Sequence, residues 1–69
     1  MQIHIGNLIR DELRRQGRTN AWLASEIGMS ERNVQRIFQN QSIDTQRLML
    51  ISKALLTDFF AYYSKVLQE

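Results

Sequence analysis

The stretch that decides the fold runs from Thr19 to Gln41, TNAWLASEIGMSERNVQRIFQNQ. Two short helical patterns meet there at Ile27-Gly28-Met29-Ser30. In the first, Leu23 and Ile27 stand four apart, with the small Ala24 beside Leu23. In the second, Val34, Ile37 and Phe38 form an apolar stripe at i, i+3 and i+4, the spacing of one helix face. Gly28 sits between the patterns, where a left-handed residue commonly ends a helix. Ser30 offers a hydroxyl to the unpaired N–H groups of the helix that follows. Two helices, a tight glycine turn and a capping serine make a helix-turn-helix signature.

The outer face of the second helix, about 30–39, carries the functional signal. Arg32, Gln35, Arg36 and Gln39 recur at i, i+3, i+4 and i+7, so they line one polar stripe opposite the apolar one. A merely solvated face more often carries Glu and Lys. Arg and Gln are the side chains that make two-pronged hydrogen bonds to guanine and adenine edges.

These residues resemble the helix-turn-helix of the lambda-repressor-like, Cro-type (XRE) family of DNA-binding proteins. The family pattern runs Thr-Gln-x-x-Leu-Ala, three variable residues, Gly-Val-Ser, three variable residues, then Ile or Val. Thr19, Leu23, Ala24, Gly28, Ser30 and Val34 match it, while Asn20 replaces the Gln and Met29 the Val. Asn40 stands where the family usually has Gly, and Asn tolerates a left-handed backbone better than most residues. The likeness extends from Ile5 to Tyr63. It implies an all-α domain of five short helices around one core, spanning 1–69, and a bacterial regulator of transcription that binds double-stranded DNA.

On that reading the second helix enters the major groove and its N-terminal half reads bases. The base-contacting candidates are Glu31, Arg32, Gln35 and, at the edge of the stripe, Asn33. Glu31 either accepts from cytosine N4 or favours the positive end of its own helix. Arg18, Thr19, Asn20, Arg36, Gln39 and Gln41 are expected to hold the phosphate backbone, which sets register without reading sequence. For Arg18 an ordinary solvated role is the alternative.

Composition narrows the classes. A chain of 69 residues allows one small domain, whose core alone supplies little net stability. Cysteine is absent, which excludes disulfides and thiolate zinc sites, and one histidine, His4, builds no metal cluster. The net charge is only +2, but arginine outnumbers lysine seven to two, and six arginines fall in the first 36 residues. No signal-peptide pattern and no apolar run of membrane-spanning length is present, so a cytoplasmic location is expected. No cofactor is implied. Catalysis is not expected either: no carboxylate pair has a neighbouring base, and no Gly-rich phosphate loop occurs.

Along the rest of the chain, Ile5, Leu8, Ile9 and Leu13 predict a first amphipathic helix that ends near Gln16 with Gly17 as its stop. Asp11 and Arg15, four apart, are expected to pair on it. His4 reads as a surface residue. Thr19 caps the second helix, and Trp22 either packs on the core or stacks on a partner. Asp44 or Ser42 starts a fourth helix with Leu48, Ile51 and Leu55 inward, Met49 and Leu50 partly exposed, and Ile43 plugging the core. Leu56 follows, where Gly or Asn usually turns the chain. Thr57 or Asp58 begins a fifth helix with Phe59, Phe60, Tyr63, Val66 and Leu67 on one side. Its apolar side is long for so small a domain, which predicts a homodimer through Tyr62, Val66 and Leu67. The alternative is that Phe59, Phe60 and Tyr63 only close the chain's own core. A second function class also stands: a protein-interaction module that keeps the fold without binding DNA, suggested by the modest charge and the aromatic tail.

Overall fold

The computed structural model describes residues 2–69. Five helices follow in order: α1 (Ile5–Arg15), α2 (Asn20–Ile27), α3 (Glu31–Gln39), α4 (Thr45–Leu55) and α5 (Phe60–Leu67). Among the described residues there is no strand. The buried positions repeat at helical spacing: Ile5, Ile9 and Leu13 on α1, Val34, Ile37 and Phe38 on α3, Leu48, Ile51 and Leu55 on α4. Leu23 and Ala24 of α2 close the same core, while Leu8, Ile27 and Ile43 pack half-buried against it. Met49 and Leu50 lie half outside, at 51% and 50% exposure.

Side chains start the first four helices. The Thr19 hydroxyl accepts from Trp22 N–H at 3.0 Å, the Ser30 hydroxyl from Asn33 N–H at 3.2 Å, and the Asp44 carboxylate from Arg47 N–H at 2.8 Å. Each satisfies a donor that the first helical turn leaves unpaired. His4, expected to be a plain surface residue, does the same for α1. Its Nδ1 accepts from Asn7 N–H at 3.1 Å.

Three helices end alike, with a left-handed residue after the last turn: Gly17 (φ 72°), Gly28 (φ 69°) and Leu56 (φ 51°). After α1 and α4 the next amide reaches back to close a Schellman motif, Arg18 N–H to Leu13 C=O at 3.1 Å and Thr57 N–H to Ser52 C=O at 3.0 Å. Leucine thus occupies a glycine conformation. The polar side chains of Gln16 and Thr57 also converge there, donating to Leu55 C=O at 2.7 and 2.9 Å.

α3 ends differently. Asn40 was expected to suit a left-handed turn, but it is extended (φ −88°, ψ 136°). The reason is a backbone seam: Gly6 N–H donates to Asn40 C=O at 3.1 Å and Ile5 N–H to Gln41 C=O at 3.0 Å. The opening amides of α1 are thereby paired with the carbonyls leaving α3. Gly6 makes this approach possible, since a Cβ there would collide with the carbonyl oxygens of Ile37 and Phe38.

Two further expectations need correction. Arg15 does not pair with Asp11. It forks onto Glu12, Nε to Oε1 at 2.9 Å and Nη2 to Oε2 at 2.6 Å, while Asp11 takes Arg10. Glu12 wins because Gln16 Nε2 also donates to it, at 2.7 Å, and fixes its orientation. The fifth helix starts later than expected. Asp58 accepts from Phe60 N–H at 3.1 Å, and Phe59 precedes the helix as a wholly buried plug.

Candidate nucleic-acid interface

α2, the Gly28 turn and α3 position the candidate face. Val34, Ile37 and Phe38 commit one side of α3 to the core. Helical geometry then turns Arg32, Gln35, Arg36 and Gln39 outward, and all four are exposed. Among the described residues none of their side chains makes a hydrogen bond or ion pair. Arg10, Arg15 and Arg47, by contrast, each stand against a carboxylate. The stripe therefore presents two unneutralised guanidinium groups and two amides in one row. Glu31 is exposed in the first turn beside it, where its charge also suits the positive helix end. Asn33 is half-buried and off the row. It borders a hollow shared with Met29, Arg36, Ile37, Asn40 and Arg47.

The expected phosphate contacts divide. Arg18, Thr19 and Asn20 gather at the N-terminus of α2. The Thr19 hydroxyl is engaged there as an acceptor, so its own hydrogen remains for donation. The Arg18 guanidinium carbon lies 4.4 Å from the centroid of the Trp22 ring, and that indole is half-buried against the core. Gln41 borders a different hollow, with Gln2, Ile3, Ser42, Tyr63 and Val66.

Arg47 escaped the sequence reading. It sits one turn into α4 and borders the same hollow as Asn33 and Arg36, with Asp44 at 3.7 Å. Nothing local in the sequence pairs it with α3, because the α3–α4 connection brings the two together.

Of the residues expected at a dimer contact, only Leu67 is exposed, at 85%. Tyr62 is half-buried because its ring stacks on Phe59, with centroids 6.4 Å apart. Val66 is half-buried along the hollow that Ile3 and Tyr63 also line. α5 nevertheless contains no fully buried residue. Among the described residues, no three His, Asp or Glu side chains converge to hold a metal ion, and no helix is long and apolar enough to cross a membrane. In comparisons with known proteins, no family model, curated relative or solved structure matches this chain.

Proposed function

We propose that this chain is a sequence-specific, double-stranded DNA-binding regulator of transcription of the lambda-repressor-like helix-turn-helix type. One observation carries the reading: the exposed row Arg32, Gln35, Arg36 and Gln39, unpartnered among the described residues, on the second helix of a tight helix pair. In the major groove, Arg32 and Gln35 read guanine and adenine edges from the first half of α3. Arg36, Gln39, Arg18, Thr19 and Asn20 hold phosphates, and Arg47, which borders the same hollow as Arg36, joins them. Two such units related by a two-fold axis would meet half-sites about 34 Å apart. The end of α5 around Leu67 is the face offered for that homodimer.

Binding titrations of Arg32→Ala, Gln35→Ala and Arg36→Ala test this, on a duplex selected from a random pool and on a scrambled duplex. Arg32→Ala and Gln35→Ala each lose about 1–3 kcal/mol on the selected site and relax preference at one base pair. Arg36→Ala weakens both duplexes alike and makes the salt slope shallower by about one. Equal losses on both duplexes for the first two variants refute base reading. Unchanged binding in all three, with the fold intact, refutes the major-groove assignment.

One observation favours a second reading, a protein-interaction module. α5 has no fully buried residue and ends in the exposed Leu67, which suits a protein partner. Retention on bulk DNA that falls steeply with salt separates the two, because only DNA binding releases condensed counterions.

A further inference from the structure

We propose that Trp22 is a positioning residue for DNA binding, holding the Arg18 guanidinium in place for a backbone phosphate. The inference rests on the DNA-binding reading above.

The chain orders its cations in two ways. Arg10, Arg15 and Arg47 are held by carboxylates, which fix the side chain but offset its charge. Arg18 is held by a neutral ring, its guanidinium carbon 4.4 Å from the Trp22 centroid. Among the described residues it has no carboxylate within 4.0 Å and no side-chain hydrogen bond, although it is exposed. Its full charge and its donors therefore stay available to an anion. The ring is itself fixed. Trp22 packs half-buried on the core, and its backbone N–H is tied to the Thr19 hydroxyl. A long exposed arginine ordinarily loses rotamer freedom when it binds, and stacking removes part of that loss beforehand. The location also fits. Thr19, next in sequence, keeps a hydroxyl hydrogen for the same anion, and α2 leads directly through Gly28 into the exposed row of α3.

A stack of this kind at an exposed site corresponds to a change in affinity of about two- to five-fold. Phosphate contacts do not depend on sequence, so a mixed-sequence duplex at low salt is a sufficient probe. The experiment is a double-mutant cycle by fluorescence anisotropy on a labelled duplex, using Trp22→Leu, Arg18→Ala and the double variant, with Trp22→Phe as the conservative control. Thermal melts confirm that each variant is folded. Trp22→Leu is expected to weaken binding about two- to five-fold, Trp22→Phe to recover most of that loss, and Trp22→Leu to add nothing once Arg18 is alanine. Equal losses with and without Arg18 would make Trp22 a packing residue only and overturn the inference, as would full affinity in Trp22→Leu. If the unsubstituted protein fails to bind the duplex at all, the DNA-binding reading falls, and this inference with it.

Discussion

Leu56→Gly is expected to stabilise the protein, against the usual direction for removing a large apolar side chain. Leu56 sits at φ 51°, ψ 41°, inside the left-handed region. There an L-residue with a Cβ is strained by about 1–2 kcal/mol. The side chain is 93% exposed, so almost no burial is lost with it. Glycine makes the unfolded chain freer, which offsets about 0.4–1 kcal/mol of the gain. The net expectation lies between about zero and 1.5 kcal/mol in favour of glycine. In a domain this small, 1 kcal/mol moves the melting temperature by roughly 4–8 °C. Circular dichroism melts of the parent, Leu56→Gly and Leu56→Ala provide the assay. Alanine removes the exposed side chain but keeps the Cβ, so it should not share the gain. A glycine variant that melts clearly below the parent, or an alanine variant that gains as much as the glycine variant, would refute the strain argument.

Gly6→Ala should destabilise by about 1–3 kcal/mol or more, because the added methyl meets backbone carbonyls that cannot swing aside, and chemical denaturation reads this directly. Glu12 is held at a pKa of about 2, below its ordinary 4.5, chiefly by the hydrogen bond from Arg15 and then by that from Gln16. Its contribution to stability is therefore full above pH 4.5 and is lost as the pH falls from there towards 2. Because Arg15 is 72% exposed, solvent screens the pair and the effect is smaller than the shift alone implies. Melting of Glu12→Gln against pH should be flatter than the parent's in that window, and parallel curves would show that the Glu12 cluster adds nothing. Sedimentation is expected to show a homodimer that Leu67→Lys weakens; a monomer at high micromolar concentration, with and without DNA, would remove that part of the proposal.

The features legible in the sequence were the local ones. Thr19 and Ser30 could be read as caps because a cap bonds within three residues of itself. Gly17 and Gly28 could be read as stops for the same reason, and Leu56 was visible as a misfit by its place after α4. The buried stripes followed from spacing alone. What escaped depends on partners distant in the chain. Asn40 is extended because Gly6 claims its carbonyl, and Gly6 is intolerant of a side chain because α3 passes over it. Gln16 reads as a mere helix end until Leu55, 39 residues later, is beside it. Arg47 meets Arg36 only once the chain between α3 and α4 has brought the start of α4 to the hollow that Arg36 borders. His4 is the exception. Its partner is three residues away, but imidazole is not among the side chains that usually announce a cap.

The seam between α1 and α3 has a consequence for how this protein can change. Main-chain atoms secure the far end of α3, and the Ser30 hydroxyl secures the near end. The outward residues Arg32, Gln35, Arg36 and Gln39 take no part in either anchorage. Foldedness and the chemistry displayed on that face are therefore written in different letters. The four side chains can be exchanged as a set, grafting a new display onto an unchanged chassis, whereas inserting a single residue between Gln39 and Gln41 would unzip the chassis itself.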